Sequence, residues 1–306
     1  MSTILIGVDG SRRSEDALAF ARPLAAASGA TVVLACAYPY DDMPSRAANA
    51  EFRAILAEQA ERTLRRAVAA LKGIDRSRIK THAVPSTSPA KALDRLAESE
   101  GAELIVVGST HTGHLGRVFP GSTGERLLHG APCPVAVVPS GFRSGGGSPR
   151  NMGIAYDGSK ESKAALEAAI AIARALDVPL KVISVLEADL YASPALMGGP
   201  GYGQVREIIE KEAREALERT VAGLPNDVQA AGVFAAGEVV AALAAQSREL
   251  GLLVAGSRGY GPAHSVLVGG VTGRLIREAS CPLIIVPRGH ETPLAALFRA
   301  PAMAAS

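Results

Sequence analysis

Cysteine is scarce in this chain: Cys36, Cys133 and Cys281 are the only three among 306 residues. A small, odd number in a long chain excludes a disulfide framework as the source of stability. An excess of one charge is also missing. The 32 Lys and Arg against 30 Asp and Glu leave a net charge of +2, too little to call for nucleic acid or an anionic membrane as partner. The densest basic cluster, Arg62, Arg65 and Arg66, is interleaved with Thr63 and Leu64 on a helical pattern and reads as a solvated face. Long unbroken apolar runs are lacking too. The stretch 228–245 is interrupted by Gln229, Gly232, Gly237 and Glu238, so it reads as strand, turn and helix, not as a membrane span. No basic segment precedes an apolar run at the start, where Asp9 intervenes early, and nothing there reads as a signal peptide. The expectation is a cytoplasmic protein.

Several catalytic signatures are absent as well. There is no G-x-x-x-x-G-K-[ST] phosphate loop, no G-x-G-x-x-G after a strand and no G-x-S-x-G elbow. His82, His129, His264 and His290 are scattered without zinc-ligand spacing. No residue is assigned to metal binding or catalysis, and Cys133 and Cys281, each before a proline and a strand, read as small apolar packing residues.

What is present is a repeat. "VDGSRRSEDAL" at 8–18 recurs as "YDGSKESKAAL" at 156–166, "LIVVGS" at 104–109 as "LLVAGS" at 252–257, and "CPVAVVP" at 133–139 as "CPLIIVP" at 281–287, at a constant separation of 148 residues. A duplication gives two domains, 1–140 and 151–289, joined by a Gly/Ser-rich linker at 141–150 and followed by a tail at 290–306. Each copy alternates short β-branched runs with helical patterns; in the first copy the runs are 4–8, 31–37, 79–84, 104–107 and 135–138. Phe52, Ile55, Leu56, Leu64, Val68 and Leu71 recur at helical spacing. In the second copy Glu207–Lys211, Glu210–Arg214 and Glu215–Arg219 supply i,i+4 pairs. Near-continuous apolar strands between helices predict α/β domains, each a doubly wound parallel sheet of five strands, and the order taken for each sheet is 3-2-1-4-5.

In such sheets ligands bind beyond the carboxyl ends of the strands, where the strand order reverses. Asp9 ends the first run and Gly108 the fourth, so the two flank that point. Bare backbone N–H groups and a helix N-terminus there would suit phosphate, and Gly121, Ser122 and Thr123 open a helix in position to supply them. The candidate binding residues are Asp9, Gly108, Ser109, Gly121, Ser122 and Thr123 in the first copy. In the second they are Asp157, Gly256, Ser257, Arg258, Gly259, Gly269 and Gly270. Arg117 and Arg258 are the nearest cations for a terminal phosphate. Two plainer roles compete: Ser122 with Glu125 fits a helix capping box, and Asp9 fits a turn or N-cap. "SPALMGGPGYG" at 193–203 reads as a loop and a candidate lid over the second site.

Asp9, Gly108, Gly121-Ser122 and Cys133-Pro134-Val135 together resemble the universal stress protein family. That family's phosphate loop runs Gly, two residues, Gly, nine residues, Gly, then Ser or Thr. In copy two Gly256, Gly259 and Gly269 fit, but Gly270 stands where a hydroxyl belongs. In copy one Gly108, Gly121 and Ser122 fit, but His111 stands at the second glycine. The resemblance spans both copies and implies flavodoxin-like domains of the adenine nucleotide alpha hydrolase kind. It further implies adenine-nucleotide binding, as ATP with Mg2+, at most slow hydrolysis, and a regulatory role under stress. Two alternatives stand beside this. His111-Thr112-Gly113-His114 spells the H-x-G-H of adenylyl-transferring enzymes, although it follows the fourth strand where those enzymes carry it after the first. A nucleotide-free interaction module is the other. Finally, in the order 3-2-1-4-5 each fifth strand is an apolar sheet edge, which native proteins cover. The expectation is that the two domains pair across these edges within one chain, burying Val135, Val137, Leu283 and Ile285. Association into a homodimer is a further expectation.

Overall fold

A computed structural model describes residues 2–40, 50–109, 121–187, 202–257, 270–287 and 293–298. The first half contains β1 (Thr3–Gly7), α1 (Arg12–Ser28), β2 (Thr31–Tyr38), α2 (Ala50–Ala70), β3 (Ile79–Pro85), α3 (Pro89–Glu100), β4 (Leu104–Gly108), α4 (Gly121–Gly130) and β5 (Val135–Val138). The second contains β6 (Met152–Ala155), α5 (Lys160–Leu176), β7 (Leu180–Leu186), α6 (Tyr202–Ala222), β8 (Ala230–Ala236), α7 (Val239–Ser247), β9 (Leu253–Gly256), α8 (Gly270–Glu278), β10 (Leu283–Val286) and α9 (Pro293–Leu297).

The strands line up as one ten-stranded sheet, β3-β2-β1-β4-β5-β10-β9-β6-β7-β8. Each half therefore has the order 3-2-1-4-5, with parallel neighbours throughout. Ile4, Leu5 and Ile6 are fully buried because helices cover both faces, which is why the strands read as continuous apolar runs rather than as alternation. Helix starts follow local chemistry. Ser11 and Ser159 cap α1 and α5, and Ser88 caps α3 ahead of Pro89. The interrupted stretch 228–245 resolves as β8, then Gly237 at φ 135°, then Glu238 capping α7 through a 2.6 Å bond from the Ala241 N–H.

The two halves meet where the fifth strands pair antiparallel, Leu283 opposite Val137, Ile284 opposite Ala136 and Ile285 opposite Val135. All six side chains are fully buried, so the apolar edges cover one another. On one sheet face α1 packs against α5; on the other Arg277 reaches the Glu125 carboxylate at 3.2 Å. The apolar core is divided by sheet face and not by repeat: one cluster joins Ile4, Phe20, Ile154 and Ile172, the other Leu5, Val135, Leu253 and Leu283.

Some expectations need amendment. The 148-residue separation holds at β1, β4 and β5 but slips by a few residues through α2, β3 and α3 against α6, β8 and α7. On α2 and just past its end, Leu64 and Leu71 are buried and Leu56 and Val68 partly so, yet Phe52 and Ile55 stand 52% and 45% exposed. A helix of 21 residues is longer, at about 1.5 Å per residue, than the strands beneath it, and its first turns overhang. Glu215 does pair with Arg219, at 3.7 Å. Glu210 instead pairs back to Arg206 at 2.8 Å, while Arg214 lies over the Phe234 ring at 4.1 Å. The basic cluster is solvated as expected, with Arg62 and Arg65 facing Glu58 and Glu61.

The Gly/Ser-rich segment 141–150 is fastened down, contrary to a flexible tether. The buried Asp16 carboxylate accepts from the backbone N–H groups of Gly141 and Arg143, both at 2.8 Å. Arg143 also meets Glu15 at 2.6 Å, and Phe142 packs edge-on against Phe20, 5.7 Å between centroids. Among the described residues no helix is long and apolar enough to cross a membrane.

Candidate functional site

The Asp-Gly-Ser turns close β1 and β6 in the same manner. The Ser11 N–H donates to Asp9 Oδ1 at 2.9 Å and the Ser11 hydroxyl donates to the same oxygen. The Ser159 N–H donates to Asp157 Oδ1 at 2.9 Å. Gly10 and Gly158 both sit at φ 77°, a left-handed conformation that glycine adopts without strain. The aspartates are thus turn residues and the serines are the caps. Burial alone would push the Asp9 carboxyl up, but hydrogen bonds from Ser11, aided by Arg13 and Ser14, hold it below the usual carboxylate range.

Gly108 ends β4 beside β1, so the structure does bring Asp9 and Gly108 to adjacent strand ends. Its lack of a side chain has a packing cause: a Cβ there would collide with the Arg13 carbonyl in the first turn of α1. A Cβ at Gly256 would lie 2.9 Å from the Glu161 carbonyl oxygen in α5. Ser109 and Ser257 follow these glycines, fully buried, with their N–H groups bonded to Val138 and Val286 at 2.8 Å. Among the described residues neither hydroxyl has a hydrogen-bond partner, an uncommon condition for a buried polar group. Gly121 and Gly270 are the first residues of α4 and α8, so the first N–H groups of each helix have no partner within the helix. Ser122 accordingly lies inside the first turn, with Thr123 next to it, and Glu125 is engaged with Arg277. Thr272 donates to the Gly256 carbonyl at 3.5 Å, tying α8 to the end of β9.

Arg258, Gly259, Gly269, His111, His114 and Arg117 lie outside the described residues, as does the loop 193–203 except for Tyr202 and Gly203 at the start of α6.

Two residues escaped sequence reasoning. Arg13 packs its backbone on Gly108, its charge acts on Asp9, and its Nε is buried without a partner among the described residues. The matching position in the second half is Glu161, whose backbone packs on Gly256 in the same way. Asp16, which anchors the inter-repeat segment, matches Ala164. Both differences were visible in the repeat alignment as charge changes between otherwise similar turns. The thiols stay out of this chemistry: burial pushes Cys36 up to about 11, and Cys133 and Cys281 up to about 12.

The fold defines a tandem, doubly wound α/β protein whose strand order reverses once in each half, between β1 and β4 and between β6 and β9. The sequence pattern of the universal stress protein family matches residues 1–139 and 149–287, and the chain belongs to that family. Universal stress protein Rv2319c of Mycobacterium tuberculosis is 30% identical over 239 residues, 78% of this chain and 80% of that protein. Universal stress protein Rv2028c of the same organism is 27% identical across 93% of this chain and 95% of its own length. A solved universal stress protein from Archaeoglobus fulgidus superposes over 94% of this chain and 98% of its own with a TM-score of 0.65. At 19% identity that last likeness concerns the fold.

Proposed function

We propose that this universal stress protein is a cytoplasmic regulator that binds an adenine nucleotide, ATP with Mg2+, at one or both switch points and turns it over slowly if at all. The observation carrying the reading is Arg13. The Arg13 backbone packs on Gly108, its charge lowers the Asp9 carboxyl, and its Nε is buried and unpaired among the described residues, near the first-turn N–H groups of α1, which favour an anion. Asp9 keeps one carboxylate oxygen committed to Ser11 and offers the other to a ribose hydroxyl or a base amine. Arg13 and the Gly121–Thr123 turn would face phosphate. The first half is the better site on this reading, because the second half places the acidic Glu161 where the first has Arg13. Bound nucleotide would fix a conformation for a partner to read, with homodimerisation as a further level of assembly.

The test is calorimetric titration of ATP and Mg2+ into the purified protein, alongside Arg13→Gln and Glu161→Arg. The expected result is binding that weakens about tenfold or more in Arg13→Gln, as loss of a charge-assisted phosphate contact requires. Absence of adenine nucleotide binding in the wild type would overturn the reading in favour of an interaction module. Stoichiometric pyrophosphate release, lost on substituting His111 and His114, would favour adenylyl transfer.

A further inference from the structure

A second concavity lies away from both switch points, on the seam. It is an open groove of about 440 Å3 between the segment leaving β5 and the rim of the second half, where α7 ends and β10 begins. That volume falls in the range of small-molecule sites, roughly 300–1,000 Å3. Its position follows from topology. Because β5 and β10 are antiparallel, the carboxyl end of β5 abuts the amino end of β10, and the inter-repeat segment must pass over that junction to reach β6.

The walls are held by both halves. Asp16 fixes the segment from the first half through Gly141 and Arg143. From the second, the Asn151 amide donates to the Glu249 carbonyl at 2.8 Å, and its Oδ1 accepts from the Gly251 N–H at 2.8 Å. Gly251 must be bare, since a Cβ would sit 2.8 Å from Pro149 Cα. Such fastening reduces the ordering cost that an otherwise loose loop would impose on a ligand.

The lining carries uncommitted donors. Arg150 and Arg248 both face this concavity, and among the described residues neither guanidinium has a hydrogen bond, ion pair or ring contact. The Ser140, Ser148 and Ser280 hydroxyls line it and are likewise uncommitted among the described residues. The one acidic lining residue, Glu249, is turned toward Lys181 at 3.4 Å. Two uncommitted guanidinium forks and three hydroxyls on one lining are the donor set that a doubly charged oxyanion group takes. Cys281 also borders the space, but its thiol is pushed up to about 12 by burial and supplies no thiolate.

We propose that this seam groove is a binding site for a small polar molecule bearing a dianionic oxyanion group, phosphate or paired carboxylates, held by Arg150 and Arg248. A ligand there touches both halves at once and clamps the segment that joins them. The site is independent of nucleotide at the switch points.

The experiment is thermal denaturation and calorimetric titration of the full-length protein at low ionic strength with inorganic phosphate in one arm and succinate in the other. Wild type and Arg150→Gln/Arg248→Gln are compared. Both residues are exposed, so the variant keeps its unliganded melting temperature. Hydrogen exchange across 139–151 gives a second readout, with protection rising when the binding anion is added to wild type. Expected is an anion-dependent rise in melting temperature for one or both probes, weakened at least about tenfold in apparent affinity in the variant. ATP affinity is expected to be unchanged by the double substitution, which separates this site from the switch points. No anion response in wild type, or the same response in the variant, would overturn the proposal. A response to phosphate alone or to succinate alone identifies which oxyanion the groove takes.

Discussion

At the scale of single residues, Asp9 shows how the site's electrostatics feed back on the fold. Its carboxyl titrates below the ordinary value of 3.8 because Ser11 donates to the charged form. A depressed native pKa means that the ionised carboxylate stabilises the folded state above the unfolded carboxylate range. That contribution disappears as pH falls through the native value. Asp9→Asn keeps an acceptor for Ser11 but removes the titration. Urea denaturation at pH 6, 4 and 3 should show the variant losing less stability than wild type over the acid limb; parallel curves would contradict the assignment. The aspartate and its neighbouring Gly108 were legible from the sequence because turn and strand-end chemistry is local. The reason Gly108 is a glycine was not, since it depends on the Arg13 backbone, nearly a hundred residues earlier in the chain. The role of Arg13 was hidden for the same reason: a cation on a helix start reads as solvated until the packing of α1 on β4 is known.

At the scale of elements, α1 does more than cover the sheet. Its buried face includes Asp16 beside Ala17 and Phe20, and a carboxylate at that depth is tolerated only when its hydrogen bonds are made. Both are made to backbone N–H groups of the inter-repeat segment. Asp16→Ala deletes two charge-assisted bonds and leaves their donors to find other partners, a loss of about 2–3 kcal/mol. Equilibrium denaturation should register that loss, and trypsin should cut after Arg143 or Arg150 faster than in wild type. An unchanged cleavage rate would mean that Phe142 on Phe20 suffices to hold the segment. Composition pointed to a loose tether here because glycine and serine are common in flexible linkers. The anchoring came from a single acidic residue in another element, and only its mismatch with Ala164 in the repeat hinted at it. The alternation of strands and helices, by contrast, was legible from the apolar runs. The order 3-2-1-4-5 was a premise that the pairings bear out, since right-handed crossovers alone allow more than one doubly wound order.

At the scale of the whole molecule, the paired fifth strands decide how the two halves behave apart. Val135, Val137, Leu283 and Ile285 have no exposure in the intact chain, and separating the halves would leave each with an apolar edge of unpaired N–H and C=O groups. A proline at Ile285 is a poor probe of this seam. Ile285 lies opposite both Val135 and Ala255, so the substitution damages the second half's own sheet along with the interface. Dividing the chain is cleaner. Fragments 1–148 and 149–287, cut just before the second segment matched by the family pattern so that Asp16 keeps its partners at Gly141 and Arg143, each retain five strands in the order 3-2-1-4-5. Each fragment alone should self-associate through its fifth strand, since the same antiparallel register can form between copies. Co-expressed, the two should recombine, favoured by Glu125–Arg277 and by α1 on α5. Sedimentation equilibrium on each fragment and on the mixture measures this. Two stable monomers that ignore one another would show that the seam is held by the covalent connection and not by the strand pair.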